Sequence, residues 1–489
     1  SDITIALSTV SRNHAVLTRY DDGSWTISDA SSKTGTWVNG DRVDICALHE
    51  GDTVSIGGVD MTLQPITKRQ EQLQSQLRTK GSSGWSGLLG LLILTLLQMT
   101  MVLGFLLNGP AEEYRLYLLG FGSVMVCQWM LFFFYLMIQR SSFEVETLAF
   151  FLCSIGVAAI ATVKPGELGK QSAAMFLGVI MFLVIGWSLR DLERAKRVRY
   201  LAVLAGVGFL VITLLFGKEY YGAKNWLVIG GMSLQPSELS KVCFVYAGAS
   251  TMDRIMNKRN LVLFIAYSIV ICGLLAIMND FGTAMIFFCA FLIIAYLRSG
   301  SVGTIALACT ALAFAGVLAI RIAPHAMNRF ASWRHIWESP YTSGYQQTQA
   351  IMCIASGGLY GLGPGNGYLQ KVFAADSDIV FATISEEWGL LMALQAVLAI
   401  SVLGLFSMRT SRVSRSSFYC IGGCTAAGIL LIQASLNCLG TVDILPFTGV
   451  TFPFLSNGGT SMIGAWGLLA FVKAADTRQN ASFAVRFNK

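Results

Sequence analysis

Residues 345–389 read YQQTQAIMCIASGGLYGLGPGNGYLQKVFAADSDIVFATISEEWG. The stretch is polar and glycine-rich, and it sets Asp376, Asp378, Glu386 and Glu387 within twelve residues. A basic patch of His325, Arg329, Arg334 and His335 precedes it, and apolar sequence resumes at Leu390. The runs on either side are as apolar as bilayer-spanning helices. A membrane protein places this many charges on an ordered segment only where water or a polar ligand reaches it. The stretch is therefore the expected site of chemistry, and the rest of the chain is its scaffold.

Working outward, the composition fits that division. Of 489 residues, 54% are hydrophobic and 13% charged, with a mean hydropathy of +0.60. Soluble domains carry roughly a quarter charged residues, so the expected class is a multi-pass α-helical membrane protein. The formal charge of +7 is local, set by loops and the basic patch, and does not describe a nucleic-acid surface. Eleven cysteines lie mostly in apolar runs (Cys127, Cys153, Cys243, Cys272, Cys289). With no CxxC pair and no Cys/His cluster at metal spacing, they read as small hydrophobes. The chain opens at Ser1 without a signal peptide, the form expected of a piece cut at that end.

Residues 1–66 differ from the rest. Short β-rich runs at 15–17, 24–27, 36–38, 53–56 and 61–63 are broken by Asp-Asp-Gly, Asn-Gly-Asp and Gly-Gly turns, which predicts a small all-β sandwich. A polar linker, 67–87, follows. Twelve apolar segments come next, at 88–107, 117–138, 148–163, 173–189, 201–216, 239–250, 261–277, 284–297, 305–320, 390–406, 418–436 and 462–472. The sixth is short and holds Lys241. The loops 190–199, 253–260 and 409–415 are rich in Lys and Arg. All three fall on the cytoplasmic side if both termini are inside. That topology puts 217–236, 323–387 and 437–459 outside.

Those outer segments have distinctive wording: Gly222-Ala-Lys-Asn-Trp226, Gln235-Pro-Ser-Glu238-Leu-Ser-Lys241, Asn279-Asp280-Phe-Gly282, Gly344-Tyr-Gln-Gln347, Asp378-Ile-Val-Phe-Ala382, Glu386-Glu387-Trp-Gly389 and Ser456-Asn457-Gly458-Gly459-Thr460. In this order they resemble the SEDS family, the FtsW/RodA/SpoVE-type peptidoglycan glycosyltransferases, over about residues 200–475. The resemblance implies a polymerase of lipid II, the undecaprenyl-pyrophosphate-linked disaccharide-pentapeptide, working on the outer face of the cytoplasmic membrane beside a class B penicillin-binding transpeptidase. It implies a core over 217–475 with an outer loop over 322–389, helices at 88–216 that include two extra spans, and a cytoplasmic tail from 476. The family's catalytic aspartate aligns with Asp378. Three positions depart from the family pattern: Phe373 replaces a usual proline, Asp376 a frequent histidine and Asn457 a common tyrosine.

The implied chemistry joins a sugar hydroxyl to a carbon that loses pyrophosphate. A carboxylate within hydrogen-bond reach can take the hydroxyl proton, contributing roughly 10²–10⁴-fold; Asp378 fits, although a turn or helix-cap carboxylate would look the same in sequence. Arg329, Arg334 and Lys371 are candidates for the pyrophosphate, as is a divalent cation (Mg²⁺ or Mn²⁺); the arginines could equally be interfacial anchors beside Trp333 and Trp337. Glu238, Lys241 and Asp280 stand at or inside helix ends, where charges either pair or line a wet cavity. Gln347, Glu387 and Ser456 complete the candidate cavity set. The glycines of 357–367 do not follow a strand or carry a P-loop lysine, so they read as tight turns.

In the β domain, Ser11-Arg12-Asn13-His14 and the run Ser31-Ser32-Lys-Thr34-Gly35 to Asn39-Gly40 resemble a forkhead-associated (FHA) domain, a binder of phosphothreonine peptides. That likeness assigns Ser11, Arg12, Ser32 and Thr34 to phosphate, Asn39 to the peptide backbone and His14 to a structural role. Thr34 replaces the usual asparagine, and the family's Gly-Arg pair would precede Ser1. Two other functions compete: a lipid-linked precursor flippase, which the charges of Glu238, Lys241 and Asp280 would suit but which should show internal repeats, and a signalling protein whose working end is the β domain.

Overall fold

The computed structural model describes residues 5, 7, 9–11, 13–20, 24–64, 84–220, 223–229, 232–252, 258–299, 303, 306, 309–310, 332–411, 414, 416–478 and 481–484. It divides into two compact units, Ser1–Thr79 and Lys80–Lys489.

The first unit is a sandwich of two antiparallel sheets. Strands β1 (Ala15–Arg19), β2 (Trp25–Asp29) and β5 (Ile45–Leu48) form one; β4 (Asp41–Val43), β3 (Thr36–Val38), β6 (Thr53–Ile56) and β7 (Val59–Thr62) form the other. Alternating side chains fill the space between them, with Ile27, Val38, Leu48, Val54 and Ile56 as the core. Asn39 and Gly40, with φ of +52° and +93°, make the left-handed two-residue turn that joins β3 to β4.

The second unit is helical. Its membrane-type helices are α1 (Gly84–Asn108), α2 (Tyr114–Met137), α3 (Glu144–Val163), α4 (Leu168–Leu189), α5 (Leu192–Phe216), α6 (Pro236–Met252), α7 (Lys258–Ile277), α8 (Phe281–Ser299), α11 (Gly389–Ser411), α12 (Ser417–Thr441) and α13 (Gly459–Ala474). Two shorter helices, α9 (Tyr345–Gly357) and α10 (Val380–Glu387), lie between α8 and α11. Among the described residues, nine helices are long and apolar enough to cross a membrane; α6 and α13, of 17 and 16 residues, are shorter. The expected segment 305–320 lies almost wholly outside the described residues. The basic stretch expected as a loop at 190–199 belongs mostly to α5, where the Arg194 guanidinium stacks 3.8 Å over the Trp187 ring. An antiparallel sheet of β8 (Lys218–Tyr220), β9 (Ala223–Ile229) and β10 (Met232–Leu234) joins α5 to α6.

Several buried amide and charged groups inside the bundle are paired, as a low-dielectric interior favours. The Gln98 amide donates to Gln128 and Ser154 at 2.9 and 2.8 Å. Lys473 donates to Glu146 at 3.0 Å, both side chains fully buried, and the Tyr135 hydroxyl donates to the same carboxylate. Where α3 meets the segment before α13, contact is backbone to backbone: a Cβ on Gly156 would stand 2.5 Å from the Leu455 carbonyl oxygen. Glycine there lets α3 lie directly under residues 452–457, which matters for the site.

Candidate functional site

The acidic run enters α10 through a tight turn. Ala374, at φ +58°, turns its carbonyl to accept the N–H groups of Ser377 and Asp378 at 3.1 and 3.0 Å. Two buried side chains then grip the next carbonyls. The Asn437 amide, on α12, donates to Asp378 O at 2.9 Å, Ser377 O at 3.3 Å and Val450 O at 2.9 Å. The Ser456 hydroxyl donates to Ser377 O at 2.7 Å and accepts from Phe452 N–H at 2.8 Å. Asp378 itself is half-buried, and its carboxylate faces Gly449, where a Cβ would stand 3.2 Å from Oδ2. Loop 448–450 is backed by the start of α8, since a Cβ on Gly282 would meet Val450 and the Thr448 carbonyl.

The neighbouring acids have internal partners. Asp376 is buried; Lys164 reaches both its oxygens at 2.9 and 3.0 Å, and Asn457 Nδ2 donates to it at 2.7 Å. Glu386 accepts the N–H groups of Tyr368 and Leu369 at 2.8 and 3.0 Å. Glu387 accepts from Gly367 N–H and from the Thr162 hydroxyl. Burial pushes the Glu387 carboxyl up to about 7; the bonds from Thr162, Gly365 and Gly367 pull it down, and the nearby Glu386 charge adds to the rise. The glycine run is thus a series of left-handed turns, with Gly358, Gly361, Gly363 and Gly365 all at positive φ. They are stitched to α10 by Leu362 N–H on Glu386 O and Gly363 N–H on Glu387 O, at 2.9 and 3.0 Å.

The remaining candidates scatter. Gln347 donates to Gly440 O at 3.1 Å and Asp443 at 3.3 Å, linking α9 to the end of α12. Arg334 is exposed, its guanidinium 5.1 Å over the Trp333 ring and its backbone N–H on Asp443. Lys371 is exposed and 5.3 Å over Tyr368. Arg329 and His325 lie outside the described residues. On α6, Glu238 and Lys241 close on each other at 2.7 Å, both buried. Asp280 caps α8, accepting Thr283 N–H and the Asn225 amide, each at 3.1 Å. Among the described residues, no group of three or more His, Cys, Asp or Glu stands at metal-binding distance. Asp376, Glu386 and Glu387 are each taken up by internal bonds. The sequence reading missed Thr162, Lys164 and Gly449, none of which carries a local motif, and it quoted Asn225 within Gly222-Ala-Lys-Asn-Trp226 without giving it a role.

In the β unit, Ser32 is buried: its hydroxyl donates to Asp29 at 2.6 Å and accepts Gly35 N–H at 3.0 Å. Asn39 bridges to Asp52 and Thr53 N–H at 2.8 and 2.9 Å. Buried His14 joins Ser11 N–H to Gly35 O, at 3.1 Å on each side. Ser11 Oγ accepts Lys33 N–H, and exposed Thr34 donates to Thr9 O. Arg12 lies outside the described residues.

A family model for cell cycle proteins of the FtsW/RodA/SpoVE type matches residues 166–481. The chain belongs to the FtsW/RodA/SpoVE family. An FHA-domain model matches 1–57, so this family member carries an FHA domain ahead of its helices. The peptidoglycan glycosyltransferase RodA of Mycobacterium tuberculosis (strain H37Rv) is 29% identical over 325 residues, covering 62% of this chain and 69% of that protein. The probable peptidoglycan glycosyltransferase FtsW of Nitrosococcus halophilus is 30% identical over 323 residues, covering 63% and 82%. A solved chain from a peptidoglycan synthase complex that coordinates polymerization and crosslinking superposes with a TM-score of 0.57 at 23% identity, over 68% of this chain and 96% of that one. It supports the fold of this FtsW/RodA/SpoVE chain. Helices α1 and α2, and α3 with its following turn, precede the matched span.

Proposed function

We propose that the chain is a peptidoglycan glycosyltransferase that polymerises lipid II at the outer face of the cytoplasmic membrane, with Asp378 as general base. The observation that carries this reading is the setting of Asp378. It is half-buried, on a run whose carbonyls are held by Asn437 and Ser456, facing a glycine that leaves room beside its carboxylate. At this depth the carboxylate stands where a hydroxyl can be offered to it.

In the proposed step, the acceptor sugar hydroxyl gives its proton to Asp378 as its oxygen bonds to the anomeric carbon of the donor. The carbon–oxygen bond to pyrophosphate breaks, and the electron pair leaves with undecaprenyl pyrophosphate. One base acting in one displacement inverts the α-linked donor to a β-linked product. The exposed cations Arg334 and Lys371, with Arg329 as the third of the sequence set, would take the pyrophosphate charge. Any Mg²⁺ or Mn²⁺ in the reaction would travel with the pyrophosphate, a reading supported by the lack of a cluster of three acids among the described residues. Gln347, Ser456, Glu387, Asp280 and the Glu238–Lys241 pair act by holding the surrounding segments.

The likeness to a synthase-complex chain supports a class B transpeptidase as partner, and the FHA domain supports a phosphothreonine protein on the cytoplasmic side. The test is to supply purified protein with lipid II, with and without a transpeptidase partner, and to read glycan length and linkage. β-linked polymer is expected. Absence of polymer in both arms, or a covalent glycosyl-enzyme on any carboxylate, would overturn the proposal.

A further inference from the structure

Two polar side chains on the segments that flank Asp378, Asp376 and Asn457, touch each other. Asn457 Nδ2 donates to Asp376 Oδ2 at 2.7 Å, and Asn457 N–H donates to Asp376 O at 2.8 Å. A third group completes the contact. Lys164, in the turn between α3 and α4, bonds both oxygens of Asp376 at 2.9 and 3.0 Å. Lys164 is half-exposed, its side chain 51% accessible, whereas the Asp376 side chain is 2% accessible. The lysine stands two residues ahead of the matched span, which begins at 166.

Lys164 does not act by itself. The three consecutive residues that close α3 each reach the segment around Asp378. The Thr162 hydroxyl donates to Glu387, Val163 packs against the small cluster formed by Leu369, Val372, Ala375, Ile379 and Ala382, and Lys164 takes Asp376. Asp376 is followed directly by Ser377 and Asp378, whose carbonyls are held by Ser456 and Asn437. The run is therefore fixed upstream of Asp378 by a charge pair and downstream by amide and hydroxyl donors. A buried carboxylate needs such partners, because leaving one unpaired in a low-dielectric setting is strongly unfavourable.

We propose that Lys164, Asp376 and Asn457 form a positioning triad that sets the Asp378 carboxylate. In it the buried Asp376 carboxylate is held from one side by Asn457 and from the other by Lys164, which lies two residues ahead of the matched span. The triad rests on the reading of Asp378 as the base. None of its three members touches substrate.

The test uses the full chain carrying Lys164→Met, Asp376→Asn, Asn457→Ala, or Lys164→Met with Asp376→Asn. Lys164→Met strands the buried carboxylate, so kcat for lipid II polymerisation should fall about tenfold or more, the scale of a misplaced catalytic group, with KM little changed. Asn457→Ala should act in the same direction. Asp376→Asn removes the stranded charge, so the double variant should be faster than Lys164→Met. Hydrogen exchange gives a readout independent of activity. The amides of Ser377 and Asp378, bonded to Ala374 O, should exchange faster in Lys164→Met while those of α13 are unchanged. If the wild type makes no polymer, the functional reading fails, and the exchange result still decides the triad. The triad is overturned if the double variant falls to the product of the single losses, or if KM rises with kcat intact, which would make Lys164 a substrate contact. It is also overturned if kcat losses track loss of folded protein, or if exchange at 377 and 378 does not change.

Discussion

Replacing Gly449 by alanine tests whether the placement of the Asp378 carboxylate sets the rate. Gly449 sits at φ +66°, and an added methyl would stand 3.2 Å from Asp378 Oδ2 and 3.8 Å from its Cγ. Two costs follow. The left-handed backbone costs an L-residue about 1–2 kcal/mol, which lowers stability and nothing else. The contact is tighter than ordinary carbon–oxygen packing, so the carboxylate must retreat by a few tenths of an ångström. Proton transfer and in-line attack tolerate little displacement, and a misplacement of roughly 1 Å can cost about a hundredfold; a loss of about tenfold in kcat is the expectation here. Gly365→Ala is the control. Its φ is +78° and its Cβ would meet nothing within 4 Å, so it carries the same kind of strain without the contact. The assay is the initial rate of polymer formation from saturating lipid II by purified protein, with thermal unfolding measured on both variants. Equal destabilisation with a rate loss confined to Gly449→Ala supports the geometry. Equal rates in the two variants would refute the reasoning that the carboxylate acts from its place beside Gly449.

The raised pKa of Glu387 has a definite sign. The native state binds the proton more tightly than the unfolded chain, so stability is greatest below the ordinary value of 4.5 and falls as pH rises to about 7. The whole effect is of order 3 kcal/mol, and Glu387→Gln should flatten the unfolding temperature of the membrane unit across that window; an unchanged slope contradicts the assignment. Arg334→Ala and Lys371→Ala should each weaken lipid II binding by roughly 1.5–3 kcal/mol, the scale of a charged hydrogen bond. Arg334→Lys should recover part of it because the guanidinium fork is lost, whereas normal binding by both alanine variants would make these cations membrane anchors. Deleting residues 1–66 should leave polymerisation in detergent intact, while the FHA unit should prefer phosphothreonine peptides and lose affinity on Ser11→Ala. Loss of polymerisation by a folded deletion variant, or equal binding of plain threonine peptides, contradicts that division of labour.

How far the sequence reaches can be traced residue by residue. Eleven of the twelve apolar segments fall within or against a helix, and the twelfth lies almost wholly outside the described residues; the helices extend up to nine residues beyond the segments, because they run past the apolar band into polar residues such as Glu144 and Arg409. In the β unit the Asn39-Gly40 turn was legible from its residue types, but β4 and β5 were not, being three and four residues long with one residue between them. The three-stranded sheet β8–β10 lay within 217–236, a stretch read only as an outer loop. The resemblance, and not the residues alone, singles out Asp378, and the bonds of its neighbours were not legible at all. A carboxylate facing water and one bonded to the amides of a glycine turn, as Glu386 is to Tyr368 and Leu369, look alike as letters. The partner of Asp376 lies 212 residues upstream, and no local pattern links residues so distant. Gly449 shows its importance only through the atom it faces.

The central claim is that Asp378 takes the proton of the acceptor hydroxyl. Asp378→Asn keeps the size and much of the hydrogen-bonding shape of the side chain while removing its charge and basicity. Purified Asp378→Asn protein, with unchanged unfolding temperature and with a transpeptidase partner present, should polymerise lipid II at least about a hundredfold more slowly than the wild type. Near-normal polymer from that protein would contradict the account.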